Sequence, residues 1–296
     1  MAYLYDVPDY KKIRVIIDTD AACEADDPFA IAQALMIKKF IIKGIFATHF
    51  GTGGSMKRSY DEINTVLSAM GKSAPVFEGE DGALRDVRNK ELSPASKFLI
   101  EEAMREDEHP LYVLCLGAIT NVARAVIECP HIKHKMKIIW IGGQEIGNDS
   151  KDFREFNSGN DIDAANFIIG CGADLTLVPN NVYGSVRISL AEIQRRIYPL
   201  GKIGKHLFEN MVTYNGLPWA GWTAGESWTL GDSPAIAIAM DRSIGRYQTV
   251  PAPIFNPDTT WRYAEGRPMI SVCTYADSRF ILEDLIARLE IEYGKG

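Results

Sequence analysis

Short apolar runs rich in Ile, Val and Leu recur along this chain, and each is followed by a stretch with helical periodicity. RVIID is such a run, and DPFAIAQALMI behind it reads as a helix opened by Asp26 or Asp27, with Pro28 in its first turn. IIKGIFATHF precedes the helix SYDEINTVLSAMG, LYVLCLG precedes TNVARAVIEC, and KIIWIGG precedes DIDAANFIIGCG; DLTLVP is a fifth strand. Strands without apolar–polar alternation must be buried on both faces, and helical crossovers between them make neighbours parallel. The expected class is therefore α/β, with a mostly parallel central sheet flanked by helices on both faces.

The second half is less regular. SLAEIQRRIYPLGKIGKHLFENMVTYN predicts one or two helices, SPAIAIAMD another, RPMISVCTYA a late strand and DSRFILEDLIARLEIEYG a closing helix. No repeat, low-complexity tract or Pro/Gly/Ser-rich linker interrupts the chain, so residues 1–296 are expected to form one domain. The net charge of −7 argues against nucleic acid or an anionic membrane as partner. Five scattered cysteines without a CxxC pair fit buried residues in a reducing compartment. No run has the length of a signal-peptide core or a membrane span, so a cytoplasmic protein is expected.

In a parallel sheet, ligands bind outside the carboxyl ends of the strands. Polar groups gather there: Asp18 to Asp20 after the first strand, Thr48–His49 after the second, Thr120–Asn121 after the third and Gly142–Gly143 after the fourth. The first of these belongs to IIDTDAACEADDP, with Asp18, Asp20, Glu24, Asp26 and Asp27 in ten positions. A helix cap needs one carboxylate. Five crowded carboxylates repel one another unless a cation neutralises them, and all-oxygen ligands suit Mg2+ or Ca2+ better than zinc. Aspartates directly after a first strand occur in haloacid-dehalogenase-type phosphatases and in nucleoside hydrolases. The pair Asp26–Asp27 opening the next helix favours the second, and Ala22 stands where the phosphatases usually carry Thr.

Further segments carry the same resemblance. LGAITNVARA resembles the GPLTNIA segment of the inosine–uridine-type nucleoside hydrolases, and IGG, GN and EFN (Ile141–Gly143, Gly147–Asn148, Glu155–Asn157) resemble their VGG…GN…AEFN. NDIDAANFII is similar to the family's DPEAA helix, and GDSPAIAIAM to its HDP(L/A)A helix start. The resemblance implies a Rossmann-like nucleoside hydrolase fold, a bound Ca2+ and hydrolysis of the N-glycosidic bond of a ribonucleoside or related riboside. It implies Asp20 as the general base on a metal-bound water, and Asp20, Asp27, the Thr120 carbonyl and Asp232 as ligands. Asp26, Asn148, Glu155 and Asn157 would hold the ribose, with Asp18 as a supporting carboxylate. Asp232 also reads as the N-cap of SPAIAIAM, a role compatible with ligation. A homodimer or homotetramer is implied as well.

Three departures stand out. The first loop, DTDAACEADD, is two residues longer than DTDxxxDD. Gly231 replaces the His thought to protonate the leaving base. ATHFGTGG replaces TTVxGN, which brings in His49. A base that leaves poorly then needs another acid. His49 is the first candidate, with Tyr214 and Glu226 behind it. NGLPWAGWTAGESW offers Trp222 and Trp228 for contact with a planar base, packing or a subunit interface being the plainer reading. Besides hydrolysis, a nucleoside- or ribose-binding protein without turnover and a Mg2+-dependent phosphatase remain open from the sequence.

Overall fold

The structure, a computed structural model, describes residues 2–147 and 153–294. Eight strands of the described residues form one sheet: β1 (Ile13–Thr19), β2 (Phe40–Ala47), β3 (Val76–Glu78), β4 (Leu111–Cys115), β5 (Met136–Ile141), β6 (Asp174–Val178), β7 (Gly245–Pro251) and β8 (Met269–Ala276). Their order is β3-β2-β1-β4-β5-β6-β8-β7. All neighbours run parallel except β7, which pairs antiparallel with β8 at the edge. The order reverses between β1 and β4, so a crevice opens beyond the carboxyl ends of those two strands.

The longer helices are α1 (Asp27–Met36), α2 (Ser55–Met70), α3 (Pro94–Met104), α4 (Thr120–Glu128), α5 (Phe156–Asn160), α6 (Ile162–Gly170), α7 (Gly201–Asn215), α8 (Ser233–Met240) and α9 (Ser278–Tyr293). They cover both faces. Val15 and Ile17 of β1 enter one core with residues of α1, α2, α7, α8 and α9, while Ile16 enters the other with α3, α4 and α6. Successive strand residues point to opposite faces, so a strand buried twice reads as an unbroken apolar run. That is why RVII carries no alternation.

Asp18 has the parity of Ile16 and is fully buried between Phe46 and Cys115 of the neighbouring strands. Burial pushes its carboxyl up to about 7, opposed by the Asn121 Nδ2 donor at 2.8 Å. Asn121 also accepts from Glu80 N–H at 2.7 Å, so one side chain joins β1 to the segment after β3. Asn121→Ala strands a buried carboxylate oxygen and a buried amide. It is expected to cost about 1–3 kcal/mol, read as a fall in the denaturation midpoint at unchanged slope.

The chain's elements depart from expectation at the weak signals. β3 is three residues long and β7 is a largely exposed edge strand, so neither shows a buried run. PASKFLIEEAM folds as α3, started by the Ser93 cap on Ser96 N–H. The long helical stretch breaks at Pro199 and Leu200, before α7 begins.

Candidate active site

The β1–β4 crevice ends in a solvent-open cavity of about 410 Å3. Its floor and walls come from four places: the loop after β1 (Asp20 to Asp27), the ends of β4 and β5 (Leu116, Ile141), the start of α5 (Glu155 to Asn157) and the start of α8 (Gly231–Asp232).

The starts of α1 and α8 do not use their carboxylates as caps. Asp26 precedes α1 and Asp232 precedes α8, yet neither side chain bonds its own helix. Asp26 Oδ2 accepts instead from Gly231 N–H at 2.9 Å, Asp27 accepts from the Thr19 hydroxyl, and Asp27 shares a hydrogen bond with Asp232. One carboxylate oxygen from each of Asp26, Asp27 and Asp232 lies within 4.8 Å of the others. Two helix N-termini aim their dipoles at this trio and so lower the cost of its negative charge.

That help is incomplete. Burial and then the neighbouring Asp27 push Asp20, Asp26 and Asp232 well above the ordinary carboxylate range, and burial lifts Asp27 to about 6. Glu24 rises to about 7 through burial and Asp27. Among the described residues, no Lys, Arg or His lines the cavity to offset them. Such an all-oxygen cluster, largely buried and without a counter-charge among the described residues, fits a hard divalent cation.

The membership of the trio differs from the expected ligand set. Asp26 belongs to it, although the ribose was its expected partner, and Asp20 stands outside it among the described residues. Cys23 N–H donates to the Asp20 carbonyl at 2.6 Å, a turn within the lengthened loop. The Asp20 carboxylate faces the backbone after β4, where a β-carbon on Gly117 would lie 2.4 Å from its Oδ1. Glycine is the residue that permits this approach.

Thr120 is likewise placed elsewhere. It begins α4 outside the cavity lining, and its hydroxyl donates to Asp161 Oδ2 at 2.6 Å. The backbone that reaches the cavity from β4 is that of Leu116, whose carbonyl accepts from Asn157 Nδ2 at 2.6 Å. The reason is geometric: the sheet ends at Cys115, so the next residue is at the crevice and a residue five positions on has already turned into helix.

His49 is also removed from the lining. Gly51 N–H donates to its Nδ1 at 3.3 Å, leaving Nε2 as the protonated nitrogen, 2.9 Å from Thr120 Oγ1. Burial lowers its pKa against the pull of Asp161 and other carboxylates. A neutral imidazole with both nitrogens engaged ties the β2 loop to α4, and this corrects its expected role as leaving-group acid. Tyr214 donates to the Ala22 carbonyl at 2.7 Å and pins the lengthened loop. Neither it nor Glu226 lines the cavity.

The tryptophans fall outside too. Trp228 is buried in the core on the short strand Ser227–Thr229, and Trp222 packs edge-on against it at 5.0 Å while half of its surface stays in solvent. Packing, the plainer reading, describes both. Asn148 lies outside the described residues.

Glu155 and Asn157 are at the cavity as expected. Glu155 caps α5, its Oε1 accepting from Asn157 N–H at 3.1 Å and its Oε2 from Ser158 N–H at 2.8 Å. Asn157 Nδ2 bonds the carbonyls of Leu116 and Ile141, spanning the ends of β4 and β5. Tyr183 was not anticipated. Its hydroxyl donates to Glu155 Oε1 at 3.2 Å, and its ring closes on position 231. The only hint in NNVYG is a tyrosine shortly after a fifth strand.

Where the resemblance has a His, this chain has a glycine with the Tyr183 ring and the Asp26 carboxylate close beside it. A β-carbon on Gly231 would sit 3.2 Å from Asp26 Oδ2 and 3.3 Å from Tyr183 Cδ2. Gly231→His therefore presses on both side chains, which must give by a few tenths of an ångström. We expect it to lower kcat/KM rather than restore an acid, and Gly231→His with Tyr183→Ala to recover part of the loss in the same steady-state assay.

Known proteins agree with this architecture. Residues 15–279 match the family described as inosine-uridine preferring nucleoside hydrolase. The chain belongs to that family. Uridine nucleosidase 1 of Arabidopsis thaliana is 28% identical over 205 residues, 60% of this chain and 60% of that protein. Probable uridine nucleosidase 2 of the same plant is 27% identical over 227 residues, 68% and 69% of the two chains. The match thus spans about three-fifths of the first relative's length. A purine-preferring ribonucleoside hydrolase from Gardnerella vaginalis superposes with a TM-score of 0.78 at 21% identity, covering 95% of this chain and 99% of its own. A plant nucleoside hydrolase, PpNRh1, gives 0.76 at 23% identity, covering 94% and 98%. At these identities the superpositions establish the nucleoside hydrolase fold.

Proposed function

We propose that this chain hydrolyses the N-glycosidic bond of a ribonucleoside, with Asp20 as general base and a divalent cation held by the acidic cluster. The observation that carries the proposal is the cavity itself. It brings a carboxylate trio with Asp27 and Asp232 buried and Asp26 half-buried, a separate carboxylate at Asp20 and the pair Glu155–Asn157 together at the strand-order reversal of a nucleoside hydrolase fold.

Asp27 and Asp232 would hold the cation, with Asp26 and Asp20 beside it and the Leu116 carbonyl as the backbone donor within reach of the cavity. When bound, Ca2+ supplies Lewis-acid polarisation of water and an anchor for the sugar's vicinal diol. The chain's own residues do the rest. Asp20, held against Gly117 and desolvated, takes the proton of the attacking water. Glu155 accepts from a ribose hydroxyl, its orientation fixed by Asn157 N–H, Ser158 N–H and Tyr183. Asn157 has its amide nitrogen committed to two strand-end carbonyls and presents Oδ1 to the sugar. These contacts strengthen as C1′ gains oxocarbenium character, which lowers the barrier. Ca2+ as the ion, a homodimer or homotetramer as the assembly and the cytoplasm as compartment come with the proposal from the resemblance. Among the described residues, no helix is long and apolar enough to cross a membrane.

Release of reducing sugar from a ribonucleoside panel, measured with the full chain in CaCl2, tests the reading. Substrate binding with no sugar released from any member would instead support a binding protein on the same fold.

A further inference from the structure

The turn that follows β4 carries three carbonyls in succession, and a side chain from a different part of the fold holds each. Asn157 Nδ2 of α5 donates to the Leu116 carbonyl at 2.6 Å, Trp140 Nε1 of β5 to the Gly117 carbonyl at 3.0 Å, and the Thr48 hydroxyl after β2 to the Ala118 carbonyl at 3.1 Å. Trp140 is fully buried, and the same indole packs against Gly142, where a β-carbon would lie 2.7 Å from its Cε2. One side chain therefore ties the end of β4 to the end of β5. An isoleucine there, like its neighbours in KIIWI, would fill space without reaching a carbonyl.

Gly117 is the residue that needs this restraint. The Asp20 carboxylate lies so close that a β-carbon on Gly117 would collide with its Oδ1. The same lack of a side chain leaves the peptide units on either side of Gly117 free to rotate. Those two units carry the Leu116 and Gly117 carbonyls. A rotation that turned either oxygen toward Asp20 would set acceptor against acceptor and displace the carboxylate. We propose that Trp140, with Thr48 beside it, is a positioning residue for the general base. Its indole N–H locks the peptide unit after Gly117, and Thr48 locks the next one, so Asp20 keeps the place from which it takes the proton of the attacking water. The indole nitrogen is a donor only, so this lock has no protonation state to lose.

This inference rests on the hydrolase reading, and the test separates the two. The full chain in CaCl2 is assayed with inosine, uridine and 4-nitrophenyl riboside as wild type, Trp140→Phe, Asp20→Asn and the double variant, each below its thermal transition. Trp140→Phe keeps a buried ring and loses the donor. It is expected to lower kcat by about 10- to 100-fold with KM little changed. In the Asp20→Asn background the same substitution should cost less than about threefold, because the group it positions is already gone. A residue needed only for packing would lower Tm, and its kinetic effect would multiply with that of Asp20→Asn. Thr48→Val, which removes a hydroxyl at nearly unchanged shape, goes through the same cycle and decides alone if Trp140→Phe does not fold. Losses that multiply, or a kcat within about threefold of wild type, overturn the inference and leave the hydrolase reading standing. No cleavage of any riboside by the wild type, the nitrophenyl compound included, overturns both.

Discussion

Asp20→Asn is expected to lower kcat by about 10²–10⁴ while KM changes little, the range for loss of a positioned general base. The split between the two constants matters because Asp20 stands outside the carboxylate trio. Its amide keeps the shape and a hydrogen-bonding oxygen against Gly117, so substrate binding survives while water loses its proton acceptor. A variant with unchanged turnover would remove Asp20 from the chemistry. A variant whose KM rises by orders of magnitude would make it a binding group instead. Asp27→Asn and Asp232→Asn should behave differently, weakening the response to added Ca2+ before anything else.

Calcium should stabilise the fold, and more so at higher pH. With free ion at 100 times its dissociation constant the gain is about 2.7 kcal/mol. For a chain of this size that corresponds to a few degrees in Tm, on the order of 5 °C. The pH dependence follows from the raised carboxylates. Asp27 titrates at about 6 in the fold against an ordinary 3.8, and Asp20, Asp26 and Asp232 are pushed higher by burial and mutual repulsion. The folded cation-free state therefore holds protons that the unfolded chain has already released. Its stability is fully present below the ordinary carboxylate pKa and is lost as pH rises through the folded values. A cation replaces those protons, so its Tm shift should be larger at pH 8 than at pH 5.5, read by differential scanning fluorimetry with and without EDTA. An equal shift at both pH values would place the ion away from this cluster. EDTA should also abolish turnover, with Ca2+ restoring it.

The acidic loop was legible as a site because charge is a one-dimensional signal. Asp18, Asp20, Asp26 and Asp27 fall at the end of a predicted buried strand, where no fold tolerates them without partners. Glu155, Asn157 and Asp232 were legible only through resemblance, because each alone reads as a cap or turn residue. The structure refines this. Glu155 is indeed a cap and lines the cavity as well, while Asp232 precedes a helix without capping it.

His49, Thr120, Trp222 and Trp228 were misplaced for a common reason. Sequence locates a residue along an element but not the direction of its side chain across a crevice. His49 sits at a strand end, as expected, yet its ring turns to Thr120. Trp228 sits just ahead of Asp232, yet its strand pairs with Arg187–Ser189 and turns the indole into the core. Tyr183 escaped notice because the contact that gives it meaning, with Glu155, joins residues 28 positions apart.

The unbroken apolar runs were enough to specify a parallel sheet covered twice, because burying both faces leaves no position for a polar residue. The order of charges in DTDAACEADD was enough to mark the crevice where the acidic cluster gathers. Which carboxylates converge, which carbonyl reaches them and what fills the space beside Gly231 depended on packing between elements far apart in the chain. Those contacts are set by side-chain volume and hydrogen-bond direction across the crevice, neither of which has a period or a spacing to be read along the sequence.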